Sequence, residues 1–311
     1  DGHGGTVSHD FTWTVTNPSP VAVADHYTVG EDDGSAVVGN ALTNDSDPDG
    51  DPLSAEAVTG VAGDHGGKFT IGTDGKVTFD TNGDFEDLAV GETRDTSYTY
   101  TLKDGDGATS TATITVTVTG VNDAPTVTSS LVPDQTSIDS QTIPTVDVTG
   151  MFHDVDTSDV LTYSTSGLPA GLSIDAATGV ISGTLDHSAS QGGTDGVYTV
   201  TVTADDGHGG TVSHDFTWTV TNPSPVATDN HYTVGEDDGS AVVGNALTDG
   251  TPDSDPDGDP LSAVVATGVA GDHGGKFSIA ADGKVTFDTN GDFEDLAVGE
   301  TRDTSYTYTL K

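Results

Sequence analysis

Ala112-Thr113-Ile114-Thr115-Val116-Thr117-Val118-Thr119 alternates without a break. Ala112, Ile114, Val116 and Val118 fall on one side of an extended chain and the threonines on the other. Period two in β-branched residues predicts a half-buried strand. Just upstream, Tyr98, Tyr100 and Leu102 alternate with Ser97, Thr99 and Thr101, and Asp104-Gly105-Asp106-Gly107 is a tight turn between the two runs. The same pattern recurs at Tyr198, Val200, Val202 and Ala204, and at Val212, Phe216, Trp218 and Val220. Shorter strands are expected at Lys68 to Ile71 and Lys76 to Phe79, with a turn at Thr73-Asp74-Gly75, and no useful stretch has helical period. The fold class that follows is all-β, as tandem antiparallel β-sandwiches of the immunoglobulin or cadherin type.

The sequence repeats itself. Residues 1–43 recur from Asp206, an offset of 205, and after the insertion Asp249-Gly250-Thr251 the offset is 208 up to Lys311, which matches Lys103. The copies differ at few places, such as Asp25 against Asn230 and Glu56 against Val264. One period holds two unlike modules, A and B. Residues 1–17 are expected to be the last strand of a B module, 18–120 a whole A, 121–222 a whole B, and 223–311 a second A lacking its last strand. Both ends fall inside modules, whereas natural termini favour module edges, so a window on a longer A-B-A-B array is expected. The linkers, Val121-Asn122-Asp123-Ala124-Pro125 and Asn222-Pro223-Ser224-Pro225, are short and carry proline. Linkers of that kind are stiff, which predicts an extended rod.

The 311 residues include 51 Asp+Glu against 8 Lys+Arg, a net charge of -43. That balance argues against nucleic-acid partners and anionic membrane surfaces. No apolar run reaches membrane-spanning length, and the absence of cysteine excludes disulfides. So much negative charge opposes compaction unless cations offset it.

The acids are not scattered evenly. Asn44-Asp45-Ser46-Asp47-Pro48-Asp49-Gly50-Asp51-Pro52 places an aspartate at every second position, and Asp253, Asp255, Asp257 and Asp259 repeat the spacing. Dense carboxylates around a glycine bend are what Ca²⁺ takes, and a solvated acidic turn is the plain alternative. Glu31 follows the first strand of A, Glu86 precedes the Tyr98 strand, and Glu236 and Glu294 are their copies. Asp104 and Asp106 lie in the strand turn, Asn122 and Asp123 in the linker. Module B adds Asp154, Asp156 and Asp205. All of these are candidate Ca²⁺ ligands. Acids at module poles and at a linker allow one ion to fix the angle between two modules. The B-to-A linker carries no acid, so the A-to-B junction is the stronger candidate.

Asn44 to Asp51, Phe85-Glu86-Asp87-Leu88 with Gly91-Glu92, Tyr98-Thr99-Tyr100, Asp104 to Gly107 and Val121 to Pro125 together resemble the VCBS or cadherin-like repeat of giant bacterial surface proteins of the RTX-adhesin type. Phe152-His153-Asp154-Val155-Asp156, Leu161-Thr162-Tyr163, Leu168 to Leu172, Thr178 to Thr184 and Asp205-Asp206-Gly207 give module B a resemblance to the dystroglycan-type cadherin-like, Ig-like repeat. The resemblance implies Ca²⁺-binding extender repeats of an extracellular adhesin on a bacterial surface, projecting a distal binding module for adhesion or biofilm formation. The partners it implies are neighbouring repeats of the same chain, with self-association into filaments or bundles left open. Animal cadherins use a related Asp-x-Asn-Asp linker; here the leading Asp is absent.

Other readings carry less. The histidines sit singly, whereas zinc needs clustered ligands. Trp13 and Trp218 share strand phase with Phe11 and Phe216, which places them in a core rather than on a sugar platform, and His9 and His214 read as strand residues. Asp206-Gly207-His208-Gly209-Gly210 does not repeat in tandem and reads as a β-turn. Asn44-Asp45-Ser46 fits a glycosylation pattern that its copy lacks. No nucleophile-elbow spacing appears, so the chain is read as non-enzymatic. A polysaccharide-binding module and an accessory region of an exported enzyme are the alternatives.

Overall fold

The computed structural model describes residues 2–311. The chain forms two compact units: residues up to Ser129 with Gly150–Thr162 and Thr203–Ser213, and then Ser130–Thr149, Tyr163–Val202 and His214–Lys311. The fold is nearly all β, in sandwich repeats, and among the described residues the only helical elements are short 3₁₀ turns.

The first unit is built on a sandwich of eight strands: β1 (Asp25–Gly30), β2 (Ser35–Asn40), β3 (Ser54–Ala55), β4 (Val58–Ala62), β5 (Lys68–Ile71), β6 (Lys76–Asp80), β7 (Thr93–Lys103) and β8 (Thr109–Thr119). One sheet runs β1-β8-β7-β3, the other β2-β6-β5-β4. The inward faces follow the alternation of the sequence. Ile114, Val116 and Val118 of β8 and Tyr100 and Leu102 of β7 meet Phe69, Phe79 and Val77 of the opposite sheet in one buried cluster. Phe69 and Phe79 pack edge-on at 4.9 Å. The bulge at Gly39 lets Tyr27 lie against the backbone; a Cβ there would sit 2.3 Å from the tyrosine ring. The same unit holds the pair β9 (Thr126–Val127) and β12 (Phe152–His153), together with the ends of further strands.

The second unit carries β10 (Gln135–Ile138), β11 (Val146–Asp147), β14 (Leu172–Asp175), β15 (Val180–Gly183) and most of β13 (Thr162–Ser166), β16 (Val197–Asp205) and β17 (Thr211–Thr221). The sheet orders are β10-β17-β16-β13 and β11-β15-β14. The unit also holds β18 (Ser240–Asn245), β19 (Ala266–Ala270), β20 (Lys276–Ile279) and β21 (Lys284–Asp288), paired as β18-β21-β20-β19.

Three expectations need correction. The sandwiches are not wholly antiparallel: β1 runs parallel to β8 and β10 parallel to β17. Residues 2–20 contain no strand, and Phe11 and Trp13, expected in a core, are 81% and 82% exposed. Their copies Phe216 and Trp218 are buried in β17, where Trp218 Nε1 donates to Ser137 Oγ at 3.1 Å. The sequence is the same; what differs is the neighbour, because β17 has β10 and β16 beside it and residues 7–17 have no paired strand. His9 is likewise outside any strand, whereas His214 lies in β17. In the second A module, residues 301–311 form no continuous strand: Leu310 bridges Ala263, and backbone hydrogen bonds link Lys311 to Ser262, Thr309 to Val264 and Ser305 to Asp272.

Candidate metal centre

The first unit gathers its acids where the residues after β1 meet Val121–Asp123. Strand phase brings them there: Tyr27, Val29 and Glu31 share an inward face, and Glu31 continues it beyond the strand end, 1% exposed. Its Oε1 accepts the Val121 N–H at 2.6 Å, and its Oε2 has no partner. Asn122 Nδ2 donates to Asp206 Oδ2 at 3.1 Å, while Asn122 Oδ1 has no partner. The Asp123 N–H donates to Asp156 Oδ2 at 2.9 Å, leaving Asp156 Oδ1 unpartnered. Asp154 Oδ1 accepts the Asp156 N–H at 3.0 Å, leaving Asp154 Oδ2 unpartnered. One carboxylate oxygen each of Asp154, Asp159 and Asp206 lies within 4.8 Å of the others. Buried oxygens without donors are costly, and a hard cation is the group that satisfies several at once.

The electrostatics point the same way. Burial pushes the Glu31 carboxyl up to about 7, against the Val121 hydrogen bond, with the charges of Asp123, Glu86 and Asp156 adding to it. Burial also raises Glu86, helped by Asp123 and Asp32, and raises Asp123, helped by Asp32 and Asp154. Asp156 is raised by burial against the Asp123 N–H, with Asp154, Asp123 and Asp159 contributing. Asp206 differs. Burial pushes it up, but donors from His208, Asn122 and Gly210 outweigh that and hold it below the ordinary range. His208 Nδ1 lies 3.0 Å from Asp159 Oδ2.

The loop bearing Glu86 is held by a fork. Arg94 Nη1 and Nη2 donate to Asp87 Oδ1 and Oδ2 at 2.9 and 2.7 Å. The Asp87 carbonyl in turn accepts from the Thr157 N–H and Oγ1 at 3.5 and 3.4 Å.

Other candidates lie elsewhere. Asp47, Asp49 and Asp51 bring one oxygen each within 4.8 Å of one another. Asp47 Oδ1 accepts the N–H groups of Asp49, Gly50 and Asp51, with Gly50 at φ +88°, and Asp47 Oδ2 has no partner. Asp45 accepts the Tyr100 hydroxyl at 2.8 Å and the Val23 N–H at 2.8 Å. Asp104 Oδ1 accepts three N–H groups of its own turn and Oδ2 accepts Asn17 Nδ2 at 2.8 Å; Asp106 is exposed. Asp253 repeats the role of Asp45, accepting Tyr308 Oη at 2.8 Å and the Thr228 N–H at 2.7 Å. Asp255 Oδ1 accepts the Asp257 N–H at 3.1 Å, Asp257 Oδ1 and Glu236 Oε2 lack partners, and Asp259 meets His187. Glu294 is exposed.

Asp205 is exposed and accepts the Gly207 N–H at 2.7 Å. Its neighbour Asp206, absent from the sequence candidates, is the one that enters the cluster. The alternation Tyr198, Val200, Val202, Ala204 extends to Asp206 and excludes Asp205, so strand phase carried that signal. Asp159 had no such mark.

Residues 17–120 and 222–311 match the family described as bacterial cadherin-like domain, and residues 124–221 match the one described as putative Ig domain. Human CDH23 EC21-23 is similar in structure, with a TM-score of 0.51 and 15% identity over 88% of this chain and 90% of that one. Mouse Cadherin-23 EC22-24 gives a TM-score of 0.49 and 16% identity over 87% and 88%. At such identities the likeness is one of fold. A search of curated proteins returned no match. With the first match covering more than half of its residues, the chain belongs to the bacterial cadherin-like domain family.

Proposed function

We propose that the chain is a structural segment of an extracellular bacterial adhesin or surface filament, whose repeats are stiffened by Ca²⁺ and hold a distal binding module away from the cell. The observation that carries this reading is the set of buried, unpartnered oxygens of Glu31, Asn122, Asp154 and Asp156 beside one linker. Six to eight oxygens are what Ca²⁺ requires, and Glu86, Asp123, Asp159 and Asp206 stand within the same set of mutually acting acids. The bond of Val121 to Glu31 and that of Asp123 to Asp156 tie the linker to both sides, so an ion held there stiffens the linker itself. The Asp47, Asp49 and Asp51 loop is a second, more exposed candidate.

Cadherin-like and Ig-type repeats are a non-enzymatic class, and the cluster holds no nucleophile with an adjacent base, so a structural role suits it. No helix among the described residues is long and apolar enough to cross a membrane. The modules A and B are taken as residues 18–120, 121–222 and 223–311. Calorimetric titration of the chelated chain with Ca²⁺ tests the reading. Saturable binding with dissociation constants of roughly 10⁻⁴–10⁻³ M or tighter supports it. An absence of binding at millimolar Ca²⁺ overturns it.

A further inference from the structure

The junction at Asn222 has the same framework as the one at Asn122 but different chemistry. Asp139 follows β10, which runs parallel to β17, as Glu31 follows β1, which runs parallel to β8. Asp139 is 3% exposed, so its charge needs partners. Its Oδ1 accepts the Ser190 N–H at 2.8 Å. With the Asn222 amide nitrogen turned toward the acids, Nδ2 donates to Asp139 Oδ2 at 3.2 Å and to Asp257 Oδ2 at 2.9 Å. The opposite orientation would set three oxygens against one another. Both other linker asparagines also donate through Nδ2, Asn17 to Asp104 and Asn122 to Asp206. His187 Nδ1 lies 3.4 Å from Asp259 Oδ1. Whereas Asp47, Asp49 and Asp51 gather their oxygens, Asp255, Asp257 and Asp259 form no such group among the described residues. Proline at 223 stands where the other linker has Asp123, and N–H donors meet both oxygens of Asp139 where Glu31 keeps one oxygen unpartnered, while Asp257 Oδ1, on the far side of the clamp, has no partner.

We infer that Asn222 clamps Asp139 to Asp257, so that both oxygens of Asp139 are held by the protein's own donors and the linker at Asn222 is fastened without a cation. Of the two linkers, the one at Asn222 then does not respond to Ca²⁺, and the one at Asn122 does. The second half of that statement rests on the function proposed above; the clamp does not.

Hydrogen exchange on the full chain separates the two. Peptides spanning residues 119–128 and 219–228 are followed with Ca²⁺ and with EDTA. EDTA is expected to speed exchange several-fold in the first and to leave the second within about twofold. Asn222→Asp replaces the donor by a third carboxylate; its 219–228 peptide is expected to exchange several-fold faster in EDTA and to slow again with Ca²⁺. Asn222→Ala is expected to speed that peptide in both conditions, with circular dichroism checking that the fold is kept. A wild-type 219–228 peptide that responds to EDTA as strongly as 119–128 overturns the clamp, as does an Asn222→Ala chain that exchanges like wild type. An unresponsive 119–128 peptide counts against the Ca²⁺ reading alone.

Discussion

The poles at Asn122 and Asn222 begin from the same plan and end with opposite needs. In both, a strand that runs parallel to the last strand of its sandwich delivers a buried acid past its end, Glu31 in one and Asp139 in the other. At Asp139 both oxygens meet N–H donors, from Ser190 and Asn222. At Glu31 one oxygen meets Val121 and the other meets nothing. A count of acids does not separate such sites; the donors opposite each oxygen do. The pole that lacks donors is the one suited to a cation.

Cation removal is the strongest way to break this comparison. Chelation is expected to lower the melting temperature of the first unit, with about 2.7 kcal/mol lost per site if Ca²⁺ had stood at a hundredfold excess over its dissociation constant. Calorimetry with Ca²⁺ and with EDTA reads it directly. Equal melts would place both poles in the class that needs no cation.

Glu31→Gln comes next, because it moves two measurements in opposite directions. The amide oxygen still accepts from Val121, but the charge is gone. Ca²⁺ affinity is expected to fall about tenfold, since ligand charge sets affinity in such sites. The chelated chain is expected to melt higher, since a buried, poorly paired charge has been removed. A Gln variant that melts lower in EDTA would show that Glu31 is satisfied without a cation.

The pH dependence gives a third check. A folded-state pKa of about 7 at Glu31 lies above the ordinary carboxylate value, so the folded state holds the extra proton. Its contribution to stability is present in full below the ordinary value and is lost as pH rises through about 7. Glu86, Asp123 and Asp156 shift in the same direction, and Asp206 in the opposite one. The chelated chain should therefore melt lower at pH 8 than at pH 5.5. With Ca²⁺ the trend should flatten or reverse, because binding displaces protons. Melts across that range in both conditions test the sign, and a chelated melt that rises with pH would refute it.

Much of the plan was legible because strand period fixes direction. Tyr98, Tyr100, Leu102 and Asp104 share one parity, and all but Tyr98 are buried or nearly so. The same counting selects Asp206 over Asp205 and places Glu31 inward. Two kinds of fact were out of reach. Pairing depends on what lies beside a strand, so the identical residues around Trp13 and Trp218 gave one expectation and two outcomes. Donor assignment depends on contacts distant in sequence, such as Ser190 to Asp139, which no local spacing encodes. Asp45 shows the limit within one motif: it belongs to the acidic run, yet the Tyr100 hydroxyl engages it.

The smallest expected effect concerns a residue that touches no candidate ion. Arg94 forks onto Asp87, next to Glu86, and the Asp87 carbonyl receives Thr157 from the other side of the junction. Both partners of the fork are about a third or more exposed, so the pair itself contributes on the order of 0–1 kcal/mol after solvent screening. Phe85 and Leu88 are buried on either side and hold the loop in outline. What the fork adds is the placement of Glu86 within that outline. Arg94→Gln is therefore expected to leave the chelated melt almost unchanged and to weaken Ca²⁺ binding about two- to threefold, since a misplaced ligand costs affinity. Arg94→Lys, which keeps the charge but not the fork, should fall between. Exchange in residues 219–228 should not change in either variant, because that pole has no part in the fork. If Arg94→Gln binds Ca²⁺ as the wild type does, the packing of Phe85 and Leu88 alone positions Glu86, and the difference between the poles reduces to which oxygens lack donors.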